Sequence, residues 1–194
     1  MALDILPSYA DGARLHPVPR RYAAMFSLTL LTASCALASF ALACATPFAA
    51  FAVIAAAILP VRSAGLVVTG AWLVNQTIGF GALHYPVDAS TIAWGFVIGA
   101  AALAATVAAS AALRVLPQNR APLVLALTLV SSYAAYELAL LVATPFLGGA
   151  GAFTPAIVAR IGGLNVVWLA GLVGACEVVR LLDPRGRGRA TMST

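Results

Sequence analysis

Asn75 and Gln76 stand side by side in an apolar run, with Trp72 before them and Gly79 after. The spacing Trp72, Asn75, Gln76, Gly79 is i, i+3, i+4, i+7, one stripe of an α-helix. Amide side chains donate and accept hydrogen bonds at once. Within lipid such a pair either clamps neighbouring helices or lines a polar site. Tyr133 and Glu137 are i, i+4 in another apolar run, and Arg160 is the one arginine inside a run. An isolated charge at membrane depth costs several kcal/mol, so Glu137 and Arg160 are expected to pair or to face water. His84, Tyr85, Pro86 and Asp88 fall between two runs, while Trp94 and Trp168 lie within runs. His84 is either a loop-capping residue or the neutral nitrogen donor that reaches a metal carried by a ligand.

Much other chemistry is excluded. All eleven basic residues are arginine. A Walker-type phosphate loop needs a lysine, and so does a Schiff base to retinal or pyridoxal phosphate. The two histidines, His16 and His84, do not supply paired haem ligands. No Gly-x-Ser-x-Gly or His-Glu-x-x-His motif is present. Cys35, Cys44 and Cys176 sit in apolar stretches without metal spacing and read as small packing residues. No catalytic set and no intrinsic cofactor is expected.

The elements that hold these groups follow from composition. The chain is 62% hydrophobic and 9% charged, against about 25% charged in soluble domains. It reads as one integral membrane domain. Arg14, Arg20 and Arg21 precede the first run, Arg62 sits in the second gap, and Arg114 and Arg120 bracket the fourth. Arg180, Arg185, Arg187 and Arg189 follow the last run, and the intervening gaps hold no arginine. Positive charge near span ends stays cytoplasmic. The pattern predicts an all-α bundle of six spans with both termini inside. The charge of +5 is thus a topology signal and not a nucleic-acid footprint.

Spans are expected at about 23–45, 47–61, 64–82, 90–113, 121–143 and 153–181, inside a transmembrane domain of 23–182. Residues 1–22 read as a cytoplasmic arm with a short interfacial helix at Leu3 to Leu6, and 183–194 as a disordered tail. The first run is too long, and too closely followed by another, for a cleaved signal peptide. With this topology Asn75, Gln76, Glu137 and Arg160 all lie about 10 Å below the outer face, with Trp94 slightly shallower. Four helices then bring polar or aromatic groups to one level. The expected ligand site lies among Asn75, Gln76, His84, Tyr85, Trp94, Tyr133, Glu137, Arg160 and Trp168. It suits a large, mostly apolar ligand bearing amide groups. Small residues at Ser34, Ala38, Ala41, Ala45 and at Ala100, Ala104, Ala108, Ala112 make two further faces, for internal packing or for a partner subunit.

Six helices in under 200 residues, a short second helix, a small-residue face on the first and an outer binding layer resemble the S-components of energy-coupling-factor vitamin transporters. Asn75-Gln76-Thr77-Ile78-Gly79-Phe80, His84-Tyr85-Pro86 and Trp94-Gly95 are similar to the solitary cobalamin-uptake branch, the BtuM-type proteins. The resemblance implies capture of a corrinoid from the periplasmic side, release inward, and an ATPase module of the energy-coupling-factor type as partner, docked on the first helix. That branch places a cysteine after the third helix as a cobalt ligand. Here no cysteine lies between Cys44 and Cys176, and His84 is the nearby substitute. The competing expectation is a non-catalytic structural or assembly subunit of a larger membrane complex, in which the polar layer is internal glue.

Overall fold

The shortest apolar run becomes the centre of the molecule. Phe48–Ile58 forms helix α2, and every residue from Phe48 to Ala57 is buried. A helix apolar on all sides needs neighbours on all sides. The alanines at 49, 50, 52, 55, 56 and 57 let those neighbours approach closely.

The computed structural model describes residues 13–42 and 45–182. The proposed helix at Leu3 to Leu6, Cys44 and the tail from Asp183 lie outside them. The described structure is all-helical, with 85% helix and no strand. Helix α1 spans Ala23–Leu42 after a single 3-10 turn at Arg20–Tyr22. Helix α3 spans Val61–Thr77 and runs directly into a π-helical turn, Ile78–Ala82. Helices α4, α5 and α6 span Ala89–Val115, Ala121–Leu147 and Pro155–Leu182. Helix α2 packs on α3, α4, α5 and α6, while α1 packs chiefly on α3.

Four segments are long and apolar enough to cross a membrane: Arg20–Leu42, Ala89–Val115, Ala121–Leu147 and Pro155–Leu182. Their outer surfaces carry Met25, Phe40, Phe96, Val107, Val130, Leu138 and Val167, all exposed. Large apolar side chains around the outside suit lipid, not water. Helix α3 has 17 α-helical residues and five π-helical ones, a continuous rod of roughly 30 Å. Helix α2, at 11 residues, reaches only about 16 Å. It therefore depends on polar groups from its surroundings at both ends.

Those groups are present. At the start of α2, Phe48 N–H donates to the Thr46 carbonyl (2.9 Å) and Phe51 N–H to that of Pro47 (3.2 Å). Ala50 N–H donates to Asn165 Oδ1 of α6 (3.0 Å). At the far end Leu59 N–H donates to Ala55 O and Leu15 N–H to Ala57 O. Arg14 Nη1 donates to Ala56 O at 3.0 Å. Ser132 Oγ of α5 lies 3.2 Å from the carbonyls of Ala49 and Ala105. Orphan amides and carbonyls at helix ends are thereby satisfied inside an apolar bundle.

These bonds also sort the connections by end. Arg14 and Leu15 meet the end of α2, and Ala13 N–H donates to Gln118 Oε1 (2.9 Å) in the α4–α5 turn. The arm, the α2–α3 corner and the α4–α5 turn thus share one end. Thr46, the 83–88 loop and the α5–α6 connection lie at the other. Helix α5 stops there because Gly148 and Gly149 take φ of 79° and 89°, values that favour glycine.

The small-residue faces are partly internal. Ala38 is fully buried whereas Ala41 is exposed. On α4 the buried alanines are Ala101, Ala102, Ala105 and Ala109, one step around the helix from the expected set, of which Ala100 is exposed. Cys35 and Cys176 are buried and unlinked, and the Cys35 thiol donates to Ala71 O at 3.0 Å.

Candidate functional site

The stripe on α3 meets two glycines on α4. Trp72 Nε1 donates to the Gly95 carbonyl at 2.9 Å. A methyl group on Gly95 would stand 2.5 Å from Gln76 Oε1, and one on Gly99 would stand 2.7 Å from the Trp72 ring. Real Cβ atoms do not approach so closely. The pair Gly95 and Gly99 is therefore the slot that receives Trp72 and Gln76. Phe96, on the neighbouring face, stacks at a tilt on Trp72 with ring centroids 6.1 Å apart.

Asn75 turns the other way. Its Nδ2 donates to Ser39 Oγ (2.9 Å) on α1 and to Thr46 Oγ1 (3.0 Å) ahead of α2. Its Oδ1 accepts from Gln76 Nε2 at 3.1 Å. Asn75 is an interhelical clamp, and through its own amide it orients Gln76. Of the two readings of this amide pair, the clamp describes Asn75, and Gln76 is what the clamp presents.

Beyond Gln76 the π turn widens the helix and carries the chain into the 83–88 loop. This turn ends the helix, with Leu83 N–H donating to Ile78 O at 2.8 Å, and turns of this kind close helix C-termini. Tyr85 folds back over it. Tyr85 N–H donates to Gly79 O at 3.0 Å, and a methyl on Gly79 would lie 2.8 Å from the Tyr85 ring. Phe80 meets Tyr85 edge-on at 6.3 Å. Between them His84 takes φ of 54°, the one positive φ outside glycine among the described residues. Its side chain is exposed. Such backbone is uncommon for non-glycine residues and clusters at binding sites.

These pieces enclose a cavity of about 120 Å³ lined by Asn75, Gln76, Tyr85, Trp94, Thr91 and Phe48 among others. Phe48 is held by Phe51, edge-on at 5.9 Å, and by Tyr136, stacked at 6.3 Å. Asp88 caps α4 beside the cavity: its carboxylate accepts from Thr91 N–H (2.9 Å) and Thr91 Oγ1 (2.8 Å). Those two donors hold the Asp88 carboxyl below its ordinary value. Trp94 reaches toward the α5–α6 connection, where a methyl on Gly149 would touch its ring at 3.4 Å.

No protein-family model, curated protein or solved structure matches this chain.

Of the nine expected site residues, Asn75, Gln76, Tyr85 and Trp94 line this cavity. His84 sits in the loop next to Tyr85 with its side chain outside. Tyr133, Glu137, Arg160 and Trp168 belong elsewhere. The Tyr133 hydroxyl donates to Val158 O on α6 at 2.7 Å and lies within reach of the Glu137 carboxylate. Trp168 packs against the apolar core. The expected approach of Glu137 and Arg160 is not found: among the described residues no ion pair joins them, and Arg160 is exposed on α6. The physical reason is position. Arg160 lies little more than one turn from the start of α6 at Pro155, close enough for a long side chain to reach the interface. Equal depth placed the two charges at one level but not on facing sides of their helices.

Asn165 is the polar residue that the sequence reading passed over. It is 2% exposed, accepts from Ala50 N–H and donates to Ile161 O (3.0 Å). An unexplained asparagine in the middle of the last apolar run, together with a helix as short as α2, was the available signal.

Proposed function

We propose that this chain is a six-span uptake protein of the bacterial inner membrane that captures a vitamin from the periplasmic side, a corrinoid first among them. The observation that carries the reading is the convergence of Asn75, Gln76, Tyr85, Trp94 and Gly95 on one cavity. All five lie in the stretch that resembles the cobalamin-uptake branch. The grouping of the arm, the α2–α3 corner and the α4–α5 turn at one end supports six crossings, because these are the arginine-bearing segments.

The cavity's size bears on how such a ligand binds. Whole small-molecule sites occupy about 300–1,000 Å³, so 120 Å³ accepts an amide side arm and not a macrocycle. The corrin ring then lies outward of Tyr85, where His84 is exposed, and the 83–88 loop moves to admit it. His84 is a single donor. Among the described residues no three His, Cys, Asp or Glu side chains gather to hold a metal. A lone imidazole suits a cobalt ion already ringed by a corrin's own nitrogens better than a bare ion.

Helix α1 lies at the edge of the bundle with Met25, Leu37 and Phe40 exposed. It is the surface on which an ATPase module of the energy-coupling-factor type would dock. The test is uptake of labelled cobalamin by cells that lack their own corrinoid transporter and express this chain. Accumulation above the empty-vector level, reduced in Gln76→Ala and Trp94→Ala at equal expression, supports the proposal. No accumulation by well-expressed wild type, with and without such a module, refutes it.

A further inference from the structure

A chain of hydrogen bonds with one direction runs from α1 to the cavity beside Gln76. The Cys35 thiol donates to the Ala71 carbonyl at 3.0 Å. A backbone carbonyl only accepts, so this bond has one sense. The Cys35 sulfur lies 4.0 Å from Ser39 Oγ, and with its hydrogen committed it can only accept there. The Ser39 hydroxyl therefore points its hydrogen at sulfur and keeps its lone pairs for Asn75. Asn75 Nδ2 donates to it at 2.9 Å and places its second hydrogen on Thr46 Oγ1 at 3.0 Å. Asn75 Oδ1 is left to accept, and Gln76 Nε2 donates to it at 3.1 Å. The orientation of a side-chain amide is decided by such a network, and here each amide is set by the group before it.

What remains is Gln76 Oε1. Among the described residues it accepts no hydrogen bond, and it is not one of the enclosed, unsatisfied atoms, which are the hydroxyls of Ser27, Ser110 and Thr128. It lies against Gly95, where a methyl group would stand 2.5 Å away. Gln76 and Gly95 both line the cavity. Thr91, also in the lining, donates its hydroxyl hydrogen to Asp88 Oδ2 at 2.8 Å, so it too meets a ligand only through lone pairs. No acidic side chain lines the cavity among the described residues. A cationic ammonium would find no counter-charge there, and a neutral amide is the donor that fits.

We infer that Gln76 meets the ligand as an acceptor, and that the cavity selects an amide by its N–H over a group of the same shape without one. Cys35, Ser39 and Thr46 are positioning residues, which act on Gln76 through Asn75. The inference rests on this cavity being the ligand site and holds whether or not the ligand is a corrinoid.

The test uses two probes of one shape, N-methylpropionamide and methyl propionate; the ester keeps the carbonyl and lacks the N–H. Each is titrated into the full chain in detergent, and the Trp94 indole signal is followed by nitrogen NMR of tryptophan-labelled protein. The amide binds saturably and about three- to ten-fold more tightly than the ester. In Gln76→Met, which keeps the side chain's length and lacks its amide, the preference disappears. Ser39→Ala frees Asn75 to turn and narrows the preference, while an unchanged Trp72 signal in both variants reports intact packing of α3 on α4. A purely structural role would lower stability without moving the ratio. Three results overturn the inference: no saturable shift with the amide, an ester bound as tightly as the amide or more so, or a preference that Gln76→Met leaves unchanged. Cobalamin binding on the same protein separates the two readings. Cobalamin bound without the amide preference keeps the corrinoid proposal and removes this one; the amide preference without cobalamin binding does the reverse.

Discussion

The cavity beside Gln76 is built by contacts that a single methyl group would disturb. Gly95→Ala places a carbon 2.5 Å from Gln76 Oε1, so the flexible Gln76 side chain must swing aside and give up its bond to Asn75, at a cost of about 0.5–1.5 kcal/mol. Gln76→Ala should relieve the clash, so the double variant is expected to be more stable than Gly95→Ala alone. Unfolding of the two single variants and the double in detergent measures that coupling; simple additivity would separate the two residues. Asp88 gives a pH signature. Its folded value is lowered by the Thr91 donors, so its capping contribution is present at neutral pH. That contribution fades as the pH falls below the ordinary carboxylate value of 3.8 and through the lowered folded value. Asp88→Asn, which caps without titrating, should remove that part of the acid sensitivity in pH-dependent melts.

At the scale of elements, α2 is the part whose stability is most borrowed. Asn165→Leu removes the acceptor for Ala50 N–H in a fully buried setting and should destabilise by roughly 1–3 kcal/mol, read by denaturant unfolding. A loss near zero would mean that Asn165 is not the cap. The expected helix ends fell within a few residues of the observed ones, because each apolar run is closed by arginine, glycine or proline. Asn75, Gln76 and Trp94, placed at one depth from the sequence, line one cavity because α3 and α4 lie against one another. The depth argument failed for Glu137 and Arg160, because depth follows from counting along a run whereas the facing direction follows from packing that no single run encodes. Asn75 as a clamp was legible in its residue type. Its partners Ser39 and Thr46 were not, because they come from α1 and the segment before α2.

For the whole molecule, the account requires that the connections alternate between two sides of a membrane. Reporter fusions after Pro60, Leu116 and the final residue are expected to read cytoplasmic, and fusions near Val87 and Gly149 periplasmic. A periplasmic signal after Leu116 would break the arginine argument and the shared end formed by Ala13, Gln118 and Arg14. The cavity of tryptophan, tyrosine and amide groups lies at the end of the bundle opposite the arginine-bearing connections. The central claim is that this cavity receives a side arm of a bound corrinoid, and equilibrium binding of cobalamin to the purified chain tests it most directly. The account predicts saturable binding, weakened by about 2 kcal/mol in Trp94→Ala, with a visible spectrum of the bound corrinoid that changes in His84→Ala. Folded wild-type protein that binds no corrinoid, or binding that Trp94→Ala leaves untouched, would contradict it.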